Sequence, residues 1–397
     1  MKTAIYIHVP FCLQRCTYCD FNTYSGLLSL RPAYVDVLCR EIHHRATLDP
    51  EVEATTLYFG GGTPSLLPAE GVGAVIAAVR RYFTLPPDAE ITLEANPGTV
   101  DAPLLSAFHT AGINRLSLGV QSAHDDELQR LGRIHTWDEA VRAVAAARQA
   151  GFDNIGIDLI YGLPGQTLAR WEETLRRTLT LDPQHLSLYA LTLEPETPLA
   201  QAIDAGQWPS PDPDLAADMY ERASEMLGAA GFWQYEISNW ARGLCPPETV
   251  WALPPDGQTE AIGPWVSHHN LVYWRNQPWW GLGAGAYSWW RQRRWSNIPH
   301  PVPYVEEGRA GRWPEVEVEI IPPSLERGET LMLGLRLAEG VSEACFRARF
   351  GAGLIEGYGD TVARLSAAGL VLWDGVRLRL SARGRLLGNQ VFGAFLA

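Results

Sequence analysis

At 397 residues the chain is long enough for one large domain and a smaller one, and its 46% hydrophobic fraction is ordinary for a globular protein with a sizeable core. A formal charge of -13, from 45 acidic against 32 basic side chains, disfavours nucleic acid as the main partner. No apolar run is long enough to span a bilayer, and Met1-Lys2-Thr3 leads straight into a strand. Neither a membrane span nor a targeting peptide is therefore expected, and the expected compartment is the reducing cytoplasm.

Short apolar strands alternate with longer amphipathic segments. Strands are predicted at Ile5–Val9, Thr56–Phe59, Ile91–Glu94, Arg115–Leu118, Ile155–Ile160 and His185–Ala190. Helices are predicted at Pro32–Arg45, Ala69–Tyr82, Asp101–Ala111, Thr136–Ala150, Leu168–Leu181 and Asp214–Ala230. This alternation argues for βα units and a parallel sheet. Six units are too few for a closed eight-fold barrel, so the expected architecture is α/β, an open, partial (β/α)6 barrel.

Past Ala230 the pattern changes. A strand at Phe232–Ser238 is followed by Arg242 to Pro264, which has no sustained periodicity and reads as a long surface loop or insertion. The chain holds 15 tryptophans, 7 of them between Trp265 and Trp295, a clustering that asks for its own account. Gly281-Leu282-Gly283-Ala284-Gly285 lacks the helix context of a dinucleotide-binding turn. A boundary is expected near Trp313 to Pro323. Helices then follow at Glu329–Leu337, Ser342–Phe350 and Ile355–Ala368, and Asp374-Gly375 signals a hairpin between Leu370–Trp373 and Val376–Leu380. This C-terminal part resembles a winged-helix module. Its Arg377, Arg379, Arg383 and Arg385 could suggest DNA, but the acidic whole favours a packing or partner role. The expected division is 1–240, 241–313 and 314–397.

The richest chemistry lies in Phe11-Cys12-Leu13-Gln14-Arg15-Cys16-Thr17-Tyr18-Cys19-Asp20, which holds three of the six cysteines as C-x3-C-x2-C. Three thiolates on one tight loop hold three irons of a cubane [4Fe–4S] cluster and leave the fourth iron open to a chelating small molecule. S-adenosylmethionine (SAM) carries an amino group and a carboxylate on one carbon, the groups such an iron would take. Structural zinc usually takes four ligands, often as two pairs, and no second C-x2-C exists here, although His8 could be a fourth ligand. A disulfide framework is disfavoured because no secretory segment precedes the cysteines.

The other motifs sit at strand ends, where βα barrels keep their chemistry. Gly60-Gly61-Gly62-Thr63-Pro64 follows the second strand, Glu94 ends the third, Gly119-Val120-Gln121-Ser122 the fourth, and Asp158 lies near the end of the fifth. A glycine turn lets backbone groups approach a ligand closely, though alone it is a plain strand-to-helix turn. A carboxylate at a strand end could hold a hydroxyl or an ammonium group, or be a loop cap or buried ion pair. Convergence of these ends on one mouth is the stronger signal.

The cysteine stretch closely resembles that of radical SAM proteins. With the glycine turn, Gly119–His135, Asn154–Gln166 and the C-terminal module, the chain is similar to the coproporphyrinogen-oxidase-like radical SAM family over nearly its whole length. That resemblance implies a cluster on Cys12, Cys16 and Cys19. It also implies a SAM site lined by Tyr6, Tyr18, Gly61, Gly62, Thr63, Glu94, Gln121, Arg133 and Asp158.

Within the family, the coproporphyrinogen III dehydrogenases carry an amino-terminal extension and a fourth cysteine soon after the cluster motif. Here only five residues precede Tyr6, and Asp20-Phe21-Asn22 stands where that cysteine is expected, which argues against porphyrinogen decarboxylation. His269-Asn270-x-x-Tyr273-Trp274 instead matches the H-N-x-x-Y-W motif of the family's haem chaperone branch. The match implies haem as cargo, met by His269, Asn270, Tyr273 and Trp274 and passed to haem-requiring proteins such as respiratory enzymes. His268 is out of register with the motif. A His269 that is simply a hydrogen-bonded core residue is the alternative for this stretch. A radical enzyme, either a decarboxylating dehydrogenase or a methyltransferase, is the alternative for the whole chain. Peripheral membrane contact and a homodimer stay open.

Overall fold

The structure, a computed structural model, describes residues 2–243 and 263–396. Most of the expected insertion between Arg242 and Pro264, with Cys245, lies outside the described residues. Tertiary contacts divide the chain into two compact units. One comprises Met1–Met226, Trp279–Trp290 and Arg294–Val318, and the other Leu227–Pro278, Arg291–Arg293 and Glu319–Ala397.

The first unit is built on six strands, β1 (Lys2–Val9), β2 (Glu53–Gly61), β3 (Glu90–Ala95), β4 (Arg115–Gln121), β5 (Ile155–Tyr161) and β6 (His185–Ala190). They lie side by side in chain order, each parallel to the next. Helices at Arg31–Leu48, Ala69–Tyr82, Ala102–Ala111, Trp137–Gln149 and Leu168–Leu179 connect them, giving the expected partial (β/α)6 barrel. The helix starts follow from local chemistry. Asp101 and Thr167 accept hydrogen bonds from backbone amides of the first turn, and Thr136 with Glu139 forms a reciprocal capping box. Short helices at Asp125–Arg130 and Pro198–Asp204, within the fourth and the sixth unit, are additions to the expected pattern.

Tryptophans extend this sheet. Trp279–Leu282 pairs parallel to β1, and Tyr287–Trp290 pairs antiparallel beyond it. Trp279 stacks on Trp289 with ring centroids 6.1 Å apart, and Trp280 meets Trp290 edge-on at 5.5 Å. Much of the tryptophan cluster is thus cross-strand and core packing.

In the second unit, Phe232–Glu236 turns back as a hairpin with Asn239–Arg242, so the expected strand to Ser238 ends two residues early. Helices at Pro323–Gly334, Glu343–Phe350 and Leu354–Ala367 precede the expected hairpin, Val371–Trp373 against Arg377–Leu380. Leu331, Leu335, Phe346, Val362, Leu378 and Phe392 are among the buried residues of their common core. Arg377 is buried and Arg379 pairs with Asp374 at 2.7 Å, so these two arginines serve packing. Among the described residues, no helix is long and apolar enough to cross a membrane.

Candidate functional site

The cysteine loop leaves β1 directly and is fastened on several sides. Phe11–Cys12 pairs with Tyr24–Ser25, and the Thr17 amide donates to Leu131 O at 3.1 Å. The Thr17 hydroxyl donates to Arg130 O at 3.0 Å, while the Cys19 amide closes a turn on Cys16 O at 3.3 Å. Cys12 is buried, whereas Cys16 and Cys19 are half-buried. Burial pushes the Cys12 thiol up, against the Thr63 hydroxyl, which lies 3.7 Å from its sulfur. Arg133 lays its guanidinium against the loop, Nη1 donating to Cys16 Sγ at 3.3 Å and Nη2 to Gly119 O at 2.7 Å. Tyr18 lies beside that guanidinium, and burial raises its phenol despite the nearby positive charge.

The glycine turn abuts this loop. Gly62 N donates to Val9 O at 2.8 Å and Thr63 N to Phe11 O at 2.9 Å. A Cβ on Gly62 would stand 2.8 Å from Phe11 O, 2.9 Å from Val9 O and 3.1 Å from Cys12 Sγ, so only glycine fits. Gly61 is left-handed (φ +112°), and its amide donates to Glu94 Oε2 at 3.1 Å. The other oxygen of Glu94 accepts from Tyr58 at 2.7 Å. Desolvation raises the Glu94 carboxyl to about 7, with the Tyr58 hydrogen bond opposing and the negative charge of Asp158 adding to the rise. Asp158 is also raised by desolvation, against hydrogen bonds from Ser187 and Ser117, the latter 3.0 Å from Oδ2.

Register explains why these groups meet. Tyr6 lies opposite Tyr58, Glu94 opposite Ser117, and Asp158 opposite both Gly119 and Ser187. The register slips between Gly119 and Gln121, which turns Gln121 into a left-handed conformation (φ +69°). Among the described residues its Oε1 is buried without a protein partner, an acceptor awaiting a donor. Tyr58, Ser117 and Ser187 escaped sequence reasoning. Their signal is the strand period of two combined with a register that the sequence does not display.

His8 is no candidate zinc ligand in this arrangement. Its Nε2 faces Asn22 O at 2.9 Å, which can only accept, so Nε2 carries the proton and Nδ1 accepts from the Tyr6 hydroxyl at 3.1 Å. Among the described residues, no three His, Cys, Asp or Glu side chains gather around a single metal-ion position. A cubane asks for something different, one thiolate on each of three separate irons. Three thiols on one loop, a glycine turn against it and the unpartnered Gln121 fit a cluster with a small polar ligand beside it.

The H-N-x-x-Y-W residues lie on a short helix, His268–Trp274, in the second unit, where Ser267 accepts from the Asn270 amide at 3.4 Å. His269 is 1% exposed, and its Nε2 is 2.9 Å from the Tyr273 hydroxyl. The two rings meet edge-on at 5.1 Å. Trp274 packs with Tyr235, Val266, Leu271 and Leu337, under the Arg336 guanidinium at 4.3 Å. Buried His269 thus forms a hydrogen-bonded pair with half-buried Tyr273.

Comparison with known proteins adds independent findings. Residues 6–178 match the radical SAM superfamily and residues 327–387 the HemN C-terminal domain. The chain is 34% identical over 397 residues to "Heme chaperone HemW" of Bacillus subtilis (strain 168), covering 100% of this chain and 99% of that protein. It is 39% identical over 352 residues to the protein of the same name from Synechocystis sp., covering 87% and 80% of the two chains. The solved structure of coproporphyrinogen III oxidase (HemN) from Escherichia coli superposes with a TM-score of 0.83 at 23% identity, over 99% of this chain and 89% of that one, which shows the shared fold. Full-length identity at this level places the chain in the HemW family of radical SAM proteins.

Proposed function

We propose that this protein is a haem chaperone: it binds haem and delivers it to haem-requiring proteins such as respiratory enzymes, and it carries a radical SAM [4Fe–4S] cluster. The full-length similarity to proteins named heme chaperones carries this reading, and the H-N-x-x-Y-W motif supports it. Cys12, Cys16 and Cys19 would hold the cluster, which when bound supplies one-electron chemistry at SAM. Tyr6, Tyr18, Gly61, Gly62, Thr63, Glu94, Gln121, Arg133 and Asp158 would line the SAM site. His269, Asn270, Tyr273 and Trp274 would meet the haem. In this division 1–240 serves the cluster and SAM, 241–313 the haem, and 314–397 packing or partners. The protein would work in the cytoplasm, with peripheral membrane contact where its acceptors are membrane enzymes, and as a homodimer if cargo is shared between copies. Haem titration of the reconstituted protein, followed by transfer to an apo-haem protein, tests the reading. Absence of both binding and transfer would sink it.

The chain's own residues set conditions on SAM. Gly62 leaves space for backbone approach, Gln121 Oε1 awaits a donor, and Glu94 offers a carboxylate once ionised. Because its carboxyl is raised to about 7, Glu94 is largely neutral at pH 6 and ionised at pH 8. A positive group on SAM therefore gains a partner as pH rises through 7, and affinity climbs by up to about tenfold per unit below that value. Isothermal titration across this range should show the rise for the wild type and a flat profile for Glu94→Gln. A rise of equal size in the variant would remove Glu94 from the site.

Asp20-Phe21-Asn22 follows Cys19 where a dehydrogenase would carry its fourth cysteine, and Phe21 there is 63% exposed. The expected result with coproporphyrinogen III under anaerobic, reducing conditions is no sustained conversion to protoporphyrinogen. Chromatographic product analysis checks this, and steady decarboxylation would promote the radical-enzyme alternative.

A further inference from the structure

Asn22 meets the Gly283–Gly285 turn beside the cysteine loop. Asn22 lies three residues past Cys19, and its Nδ2 donates to Ala284 O at 3.1 Å and to Pro299 O at 2.9 Å. Its Oδ1 accepts from the Tyr24 hydroxyl at 3.0 Å, and its backbone carbonyl accepts from His8 at 2.9 Å. Every polar atom of the side chain is therefore engaged.

The turn that receives it is itself held rigidly. Gly283 and Gly285 both adopt left-handed φ, +99° and +73°. A Cβ on Gly283 would stand 2.6 Å from His8 O and from the Tyr34 hydroxyl, and one on Gly285 would run into Asn22 Nδ2. Tyr34 bridges β1 and the turn, donating to His8 O at 2.7 Å and accepting from Ala284 N at 2.8 Å. Beneath lies Glu41, fully buried, which accepts from Gly283 N at 2.9 Å, Asn297 Nδ2 at 2.7 Å and the Tyr304 hydroxyl at 2.6 Å. A buried carboxylate needs such a set of donors, and here it pins the turn from below.

We propose that Asn22 is a positioning residue for the cluster loop, and that the Gly283–Gly285 turn, keyed by Glu41, is the anchor it grips. The loop is tied at its start by Phe11–Cys12 pairing and in its middle by Thr17. Asn22 supplies the third tie, on the Cys19 side, and so sets where that thiolate stands relative to the glycine turn that would face SAM. This inference rests on the radical SAM reading of the same loop.

The decisive variant is Asn22→Asp, which keeps the side-chain volume but replaces both donated hydrogen bonds with a carboxylate facing two carbonyls. In anaerobically reconstituted protein, iron release to a ferrous chelator should be on the order of tenfold faster than in the wild type. The change that SAM induces in the electron paramagnetic resonance spectrum of the reduced cluster should be altered. Gly285→Ala, which intrudes from the anchor side, should reproduce both effects. Asn22→Ser, a smaller perturbation, serves if either variant fails to fold. Tyr24→Phe removes only the bond to Oδ1 and should leave release and spectrum near wild type. Wild-type release rates and an unaltered SAM-induced change in Asn22→Asp or Asn22→Ser would overturn the proposal. A wild-type cluster spectrum indifferent to SAM would overturn the radical SAM reading, and this inference with it.

Discussion

Serine at Cys12, Cys16 or Cys19 removes most of the iron–sulfur absorption of the anaerobically reconstituted protein, and serine at Cys39 or Cys345 leaves it intact. The first three thiols share one loop against the glycine turn and Arg133. Cys39 sits half-buried within the helix Arg31–Leu48, and Cys345 is exposed on the helix Glu343–Phe350. A cubane with three protein ligands has no reserve, since each thiolate serves a different iron and a hydroxyl is a much poorer ligand for it. Cys12→Ser has a second consequence. Cys12 Sγ is 3.1 Å from where a Gly62 Cβ would be, so a change there is felt in the turn expected to meet SAM. Iron content and visible absorption check the result. A Cys39→Ser protein as empty as Cys16→Ser would break the three-cysteine assignment, and so would serine at Cys245.

The barrel was legible because its signals are local. Alternating strands and helices, cap residues such as Asp101, Thr136 and Thr167, and glycines at strand ends can be read one window at a time. Strand lengths were less so. β2 runs from Glu53 to Gly61 rather than Thr56 to Phe59, because ladder hydrogen bonds to β1 carry through Gly60 and Gly61, where propensity says stop. The cysteines and the carboxylates at strand ends were visible in the sequence, yet the groups that tune them were not. Tyr58 on Glu94 and Ser117 on Asp158 depend on register between strands, and Arg133 reaches Cys16 across 117 residues. Least legible was the return of Trp279–Trp290 and Arg294–Val318 to the first unit. No periodicity in those residues announces that Ala284 and Pro299 will meet Asn22, because that contact is written only in the tertiary fold.

His269→Ala loses haem binding and keeps the cluster, whereas His268→Ala changes haem binding little. The motivation is the H-N-x-x-Y-W register together with the ability of an imidazole to ligate haem iron. The structure sharpens the expectation, because His269 is 1% exposed and its Nε2 already meets the Tyr273 hydroxyl at 2.9 Å. Ligation through Nε2 requires the ring to leave Tyr273, so haem binding competes with that hydrogen bond. His269→Ala abolishes the ligand and the haem spectrum that goes with it. If His269 were a core residue alone, His269→Ala would lower the unfolding temperature and leave haem stoichiometry and Soret spectrum unchanged. That result, measured with the cluster still in place, would refute His269 as the haem contact.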